Sequence, residues 1–163
     1  QEDQDFIKQT LANPPKEEVK EQAGEVAMTT KVPDNRKARW FSKIDRAKDE
    51  AKQFGLPMLV LFTGTDWCPY CVKLENDVLS KKEFKEFANK SLVLVRYDFA
   101  GGGQAPHREA AESSKEYSVN SYPTYLLLGA DGKLIARGGG SASPETFIQW
   151  VDMVTKGKVT PSR

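Results

Sequence analysis

The chain has no excess of charge of either sign and no long apolar run. Its 163 residues include 24 basic and 23 acidic side chains, which leave a formal net charge of +1. Such a balance provides no electrostatic attraction to nucleic acid or to an anionic membrane surface. A membrane-spanning helix needs about 18 or more consecutive apolar residues, whereas the longest apolar stretch, Leu56 to Phe62, has the length of a strand. We therefore expect no nucleic-acid partner and no insertion into a membrane.

Cysteine and histidine are also scarce. The chain has two cysteines, Cys68 and Cys71, and one histidine, His107. A secreted scaffold held together by disulfides needs several cysteine pairs at wider spacing, and a structural zinc site needs four ligands, usually cysteine and histidine. The composition therefore excludes a disulfide-stapled fold, and we expect no bound metal. We interpret His107 as a surface or helix-start residue, because neither cysteine lies near it in sequence.

Length and local composition divide the chain into one folded domain and two flanking segments. The full length suffices for a single hydrophobic core. Residues 1–36 are polar and are interrupted by Pro14-Pro15, which indicates an extension or tether. We place the domain at residues 37–158 and a tail at residues 159–163. The chain starts without an initiator methionine or an apolar signal segment, as expected of a mature exported chain or of a shortened one.

Apolar periodicity and capping residues predict an alternation of helices and strands in the domain. Ser80, with Glu83 three residues on, has the pattern of a capping box, and Asp131-Gly132 is a strong hairpin-turn signal. The predicted order is helix 39–54, strand 58–62, helix 68–79, a helix capped by Ser80, strand 92–97, a glycine loop at 101–103, helix 106–117, strand 125–128, strand 133–137 and helix 144–156. This order predicts an α/β fold in which helices cover both faces of a central mixed sheet of about four strands.

The motif Cys68-Pro69-Tyr70-Cys71 follows a predicted strand and opens a predicted helix. The thiolate is the reactive form of cysteine, and the free N–H groups and dipole of a helix N-terminus stabilise it. A spacing of three places both sulfurs on the same side of the first turn, where they can meet. We predict that Cys68, nearest the helix end, is the attacking thiol and that Cys71 resolves the mixed disulfide. Two packed cysteines without chemistry are the alternative.

From about Trp40 to Lys156, the sequence resembles the thioredoxin-like family. Three motifs carry the resemblance, in the order in which the family has them: a central strand followed by Asp66-Trp67-Cys68-Pro69-Tyr70-Cys71, the segment Ser121-Tyr122-Pro123-Thr124, and a closing hairpin with Asp131-Gly132. The resemblance implies a thioredoxin-like fold in which the Tyr122-Pro123 peptide bond is cis and faces the cysteines. It also implies a set of residues that support the redox pair, namely Asp66, Trp67, Pro69 and Tyr70.

The same resemblance implies a binding surface for an extended substrate around Cys68. Its residues would be Trp67, Tyr70, Tyr122 and Pro123 as an apolar rim, with Gly140 at the family's groove glycine. The backbone before Pro123 would pair with the substrate as a neighbouring strand does. Simple core packing is the alternative for Tyr122.

The chain departs from cytosolic thioredoxins at two positions. The family's buried aspartate behind the resolving cysteine corresponds to Leu61, and its paired lysine corresponds to Leu94. This departure argues against a proton relay of the thioredoxin type. Glu75, one helical turn after Cys71, is a candidate substitute, and a solvated helix residue is the alternative.

These observations predict a thiol–disulfide oxidoreductase that acts on protein thiols and disulfides as a reductase or isomerase. It would need no cofactor beyond the redox-active Cys68–Cys71 disulfide, an upstream redox protein would keep it reduced, and we expect a monomer. The resemblance is strongest to extracytoplasmic bacterial members, which favours a periplasmic or otherwise extracytoplasmic location over the cytoplasm. Two other functions remain open, a non-catalytic thioredoxin-like binding or chaperone module and a glutathione-dependent enzyme, since glutaredoxins also carry the dipeptide Pro69-Tyr70.

Overall fold

Five strands form one mixed sheet in the computed structural model, which describes residues 31–156. The strands are β1 (Trp40–Phe41), β2 (Met58–Thr63), β3 (Val93–Asp98), β4 (Thr124–Leu128) and β5 (Leu134–Gly138). Their order across the sheet is β1-β3-β2-β4-β5. Strands β1, β2 and β3 are parallel, whereas β4 and β5 run antiparallel to their neighbours. The carboxyl ends of β2 and β3 therefore meet at one end of the sheet, where Thr63 pairs with Asp98.

The helices connect these strands. They are α1 (Ile44–Phe54), α2 (Pro69–Leu74), α3 (Lys82–Ser91), α4 (Ala100–Gly103), α5 (Arg108–Glu116) and α6 (Pro144–Thr155). A π-helical turn, Glu75–Leu79, continues α2. The short α4 is a glycine turn, as the predicted loop requires, because Gly101 and Gly102 have left-handed φ angles of 66° and 84° that glycine adopts at little cost. No helix among residues 31–156 is long and apolar enough to span a bilayer.

Alternate side chains of β2 point into two cores, one on each face of the sheet. Met58, Val60 and Phe62 pack under α1 and α5, in a core that includes Ala47 and Ala110. Leu59 and Leu61 pack under α2, α3 and α6, in a core that includes Leu74, Phe84 and Phe147. The predicted thioredoxin-like architecture, with helices on both faces of a mixed sheet, is confirmed, and the sheet has a fifth strand.

The additional strand is β1, which replaces the start of the helix predicted at residues 39–54. Trp40 and Phe41 pair with Leu94 and Val95 as a parallel edge strand, and the helix begins only at Ile44. Two adjacent residues such as Trp40 and Phe41 can begin a helix or form a short strand. Pairing with β3 gives their backbone groups partners and favours the strand. Trp40, expected on a helix face, is a half-buried strand residue that packs against the core under α3.

The capping box predicted at Ser80 does not form. The π-helical turn continues to Leu79, and the Ser80 N–H still donates to the Glu75 carbonyl at 2.9 Å, so Ser80 keeps a helical conformation. An N-cap residue needs an extended backbone, and Lys81 supplies it, with φ −79° and ψ 148° and no side-chain cap. Helix α3 consequently starts at Lys82, two residues after Ser80.

Arg36, which the sequence places at the end of the extension, is anchored in the folded body. Its guanidinium donates to the carbonyl oxygens of Ala88, Asn89 and Leu92 at 2.7–2.9 Å and pairs with Glu50 at 2.7 Å. Three of these four partners lie at the end of α3 or directly after it, where most carbonyl groups lack intrahelical donors, although the Ala88 carbonyl also accepts from the Leu92 N–H. The rest of the predicted extension up to residue 30, and the predicted tail, lie outside the described residues.

Candidate active site

Cys68 and Cys71 form a disulfide at the N-terminus of α2, with their Cα atoms 5.2 Å apart. Cys68 is the N-cap, in an extended conformation that brings its Sγ within 3.2 Å of the Cys71 N–H. Pro69 occupies the first helical position, where its missing N–H removes no intrahelical bond. The predicted meeting of the two sulfurs is therefore confirmed. Both cysteines are buried in this oxidised state, with exposed fractions of 4% for Cys68 and 2% for Cys71.

One backbone N–H group contacts each sulfur. The Cys71 N–H donates to Cys68 Sγ, and the Gly64 N–H donates to Cys71 Sγ at 3.4 Å. In the reduced protein the same donors face whichever sulfur is ionised, and hydrogen bonds to an ionised group are the strong ones. The helix N-terminus adds its positive dipole end. Such surroundings are the kind in which a cysteine thiolate is stabilised.

The loop before β4 faces the redox pair. The Tyr122–Pro123 peptide bond is cis, as the resemblance implied, and the Tyr122 carbonyl oxygen lies 3.6 Å from Cys68 Sγ. A reduced Cys68 thiol can donate to this oxygen. The loop is held from within, since the Thr124 hydroxyl donates to the Ser121 carbonyl at 2.8 Å.

Aromatic side chains form an open rim around the disulfide. Tyr70 is 72% exposed and Trp67 is 40% exposed. The Trp67 ring meets the Tyr122 ring edge to face at a centroid distance of 5.5 Å, and Tyr122 packs in turn on Phe99 at 5.4 Å. Tyr122 thus joins the rim to the core under α1 and α5, so the two roles considered for it are both compatible with its position.

The glycine segment after β5 lies beside the cis-proline loop. A Cβ atom on Gly139 would sit 3.5 Å from the Pro123 carbonyl oxygen. Gly140 has open space around its Cα, and its carbonyl accepts from the Tyr125 hydroxyl at 2.8 Å. Burial raises the pKa of Tyr125, so this hydroxyl remains a donor well above neutral pH. The expected place of Gly140 in a substrate groove stays a prediction.

Several residues at this site were not predicted from the sequence. Asp98 accepts from Thr65, the Phe99 carbonyl accepts from the Trp67 indole N–H at 2.5 Å, and the Asp66 carboxylate accepts from the Gly101 N–H at 2.9 Å. Asp98, Phe99 and Gly101 were not among the predicted site residues, whereas Asp66 was, and its role in supporting the redox pair stays a prediction. The available signal was topological, because residues that follow two neighbouring parallel strands must lie side by side.

Apolar residues occupy the two positions at which cytosolic thioredoxins carry the aspartate and lysine of their proton relay. Leu61 and Leu94 are buried at 1% and 3% exposure in an apolar core. The Glu75 carboxylate pairs with Arg96 at 2.9 Å, and its participation in proton transfer stays a prediction. His107 is the N-cap of α5, where its Nδ1 accepts from the Ala110 N–H, so it is the helix-start residue that we expected.

Comparison with known proteins assigns the domain to a family. A family model described as a thioredoxin-like domain matches residues 44–155. The chain belongs to the thioredoxin-like family. It is 33% identical over 112 residues to the disulfide bond reductase DsbH of Chlamydia pneumoniae, covering 64% of this chain and 67% of that protein. It is 27% identical over 108 residues to the thioredoxin-related protein DsbJ of the same organism, covering 61% of this chain and 30% of that protein.

A solved structure of a DsbH oxidoreductase supports the same conclusion. It superposes on this thioredoxin-like protein with a TM-score of 0.65 at 25% sequence identity, covering 93% of this chain and 95% of that chain. With the Cys68–Cys71 disulfide at the helix N-terminus, the relationship identifies the protein as a thiol–disulfide oxidoreductase rather than a non-catalytic module.

Proposed function

We propose that this protein reduces disulfides in other proteins, with Cys68 as the attacking thiol. The observation that carries the proposal is the 33% identity to a protein named a disulfide bond reductase. The Cys68 thiolate attacks one sulfur of the substrate disulfide, which forms a mixed disulfide and releases the other substrate sulfur as a thiolate. The Cys71 thiolate then attacks Cys68 Sγ, the second substrate thiol leaves, and the Cys68–Cys71 disulfide remains. Two electrons pass from the pair to the substrate.

The open rim around Cys68 supports a protein substrate rather than a small molecule. Trp67 and Tyr70 are exposed beside the redox pair, whereas small-molecule sites are usually enclosed clefts. A cleft of about 630 Å³ does exist between α3 and β1, but its walls are formed by residues such as Trp40 and Phe84 and by none of the predicted site residues. An extended segment of a protein substrate would lie across the rim and pair with the backbone before Pro123.

Each turnover leaves Cys68 and Cys71 oxidised, so a separate thiol donor, an upstream redox protein, has to reduce them. No cofactor is needed beyond the cysteine pair. We place the protein outside the cytoplasm, in the bacterial periplasm or an equivalent compartment, because the sequence resemblance is strongest to extracytoplasmic members. We expect it to act as a monomer, which sedimentation at assay concentration measures.

Reduction of insulin with dithiothreitol as the electron source tests the reaction. The wild-type chain should accelerate precipitation of the insulin B chain, and Cys68→Ser should not. Isomerase activity is measured separately on scrambled ribonuclease. To test direction in the native cell, rapid acid quench followed by thiol labelling reports the redox state of the pair. A pair that is almost wholly oxidised, in a protein that oxidises reduced substrates faster than it reduces insulin, would overturn the proposal.

A further inference from the structure

One peptide unit, the bond between Gly64 and Thr65, connects the redox pair to strand β3. Its carbonyl oxygen accepts from the Cys68 N–H at 2.9 Å and from the Trp67 N–H at 3.2 Å. Its N–H, which belongs to Thr65, donates to Asp98 Oδ1 at 3.1 Å. One end of the peptide therefore holds the backbone of the attacking cysteine, and the other end is held by a carboxylate.

Asp98 also accepts a second hydrogen bond from Thr65. The Thr65 hydroxyl donates to Asp98 Oδ2 at 2.6 Å, so both carboxylate oxygens are engaged by one residue. Asp98 itself is fixed by the sheet, because it is the last residue of β3 and pairs in register with Thr63. The next residue, Phe99, donates its N–H to the Thr63 carbonyl at 2.6 Å. Hydrogen bonds to an ionised acceptor are short and strong, and a carboxylate on the N–H of a peptide polarises its carbonyl as an acceptor.

Gly64, the first residue of this peptide, also contacts the second cysteine. The Gly64 N–H donates to Cys71 Sγ at 3.4 Å. Gly64 therefore contacts both the backbone of Cys68 and the sulfur of Cys71. The next residue, Thr65, is held by Asp98 on a different strand. The Asp98 carboxylate, on β3, accepts both hydrogen bonds from Thr65, whereas the Asp66 carboxylate, on the loop itself, accepts from the Gly101 N–H.

We propose that Asp98 is a positioning residue for disulfide exchange, which acts through the Gly64–Thr65 peptide to hold Cys68 and Cys71 in their reactive geometry. The proposal requires exchange at Cys68 and is independent of the direction proposed above. We call the two hydrogen bonds from Thr65 to Asp98 the clamp. Loss of the clamp lets the loop shift away from the N-terminus of α2, and a small misplacement of a reacting group lowers the reaction rate by a large factor.

The test measures the reaction of the reduced full chain with dithiodipyridine, an aromatic disulfide whose released thiol absorbs light, across pH. Thr65→Val leaves the Asp98 charge in place and removes the hydroxyl donor. We expect its rate at neutral pH to fall by about tenfold and the midpoint of its pH profile to rise. Thr65→Ser keeps the hydroxyl and should remain within about twofold of wild type. Asp98→Ala should resemble Thr65→Val, and Asp98→Asn should lie between wild type and Asp98→Ala.

Asp131→Ala is the matched control, because the Asp131 carboxylate also accepts from a loop N–H, that of Lys133, in the β4–β5 turn. It should change neither the rate nor the midpoint. A Thr65→Val chain with a lowered melting temperature and wild-type rate and midpoint would make the clamp purely structural and overturn the proposal. Aspartate variants that lower the midpoint while Thr65→Val changes nothing would assign the effect to charge and overturn it as well.

The outcomes separate this proposal from the reductase function. A wild-type chain that reacts with dithiodipyridine and fails to reduce insulin would end the proposed reductase function and leave the variant comparison valid. A wild-type chain that does not react would overturn both.

Discussion

Replacing Gly64 with alanine tests how closely the redox loop packs. A Cβ atom at this position would overlap the Trp67 indole, at less than 3 Å from three of its ring atoms. Trp67 is 40% exposed, so its ring has room to swing outward, whereas the backbone of Gly64 is held by its bonds to both cysteines. We therefore expect Gly64→Ala to displace the indole and to leave the disulfide in place.

The expected loss in the free energy of unfolding comes from the contacts that the Trp67 indole would lose. Its N–H bond to the Phe99 carbonyl is worth about 0.5–1.5 kcal/mol, typical of a net hydrogen bond. Its edge-to-face contact with Tyr122 is worth about 0.5–1.5 kcal/mol. Because the indole is partly exposed already, little further burial is lost. The free energy of unfolding of the oxidised protein should fall by about 1–3 kcal/mol in total.

Urea unfolding of the oxidised protein, followed by far-ultraviolet circular dichroism, measures this loss. The red shift of the Trp67 emission, compared with a Trp67→Phe chain, reports the displacement of the ring. Gly139→Ala is the control, because its Cβ would make an ordinary contact at 3.5 Å with the Pro123 carbonyl oxygen. Wild-type stability and an unshifted emission in Gly64→Ala would refute this account of the packing at the rim.

Three further predictions concern the thiols, the buried phenols and the last helix. Limiting iodoacetamide on the reduced protein should label Cys68 before Cys71, because Cys68 is the N-cap of α2, where a helix N-terminus favours the thiolate, and preferential labelling of Cys71 in the mapped peptides would contradict this. Burial raises the pKa of Tyr97 and Tyr125, so the folded state is stabilised fully below the unfolded tyrosine pKa of about 10 and loses that stability as pH rises above it; absorbance titration should find these phenols un-ionised near pH 10, and ordinary titration would be the contrary result. Ser143 accepts from the N–H of the third residue of α6 at 3.2 Å, so Ser143→Ala should cost about 0.5–2 kcal/mol in thermal unfolding, and an unchanged melting temperature would show that the cap contributes nothing.

The parts of the fold that depend on local patterning could be predicted from the sequence. The strand before the cysteines is a continuous apolar run that is buried on both faces. Pro69 and the paired cysteines mark the start of α2, and Ser143 with Pro144 marks the start of α6.

The parts that depend on a distant neighbour could not be predicted in this way. Whether Trp40 lies in a helix or a strand is decided by the edge of β3, more than fifty residues away. The hydrogen bonds from Thr65 to Asp98 join residues that are 33 apart in sequence. No local rule links two such positions, although the register of two parallel strands places them together once the topology is known.

The length of β1 has a consequence for how the sheet meets other chains. A sheet edge carries unpaired backbone groups, which a further strand can pair with. The number of hydrogen bonds it can form rises with the number of residues in the edge strand. Among residues 31–156, strand β1 offers two residues at one edge of the sheet, and β5 offers five at the other. Two residues give a further strand few hydrogen bonds to the sheet. Strand β5 carries Leu134 and Ile135, both more than 40% exposed, so edge-to-edge association has a longer and more apolar template there than at β1.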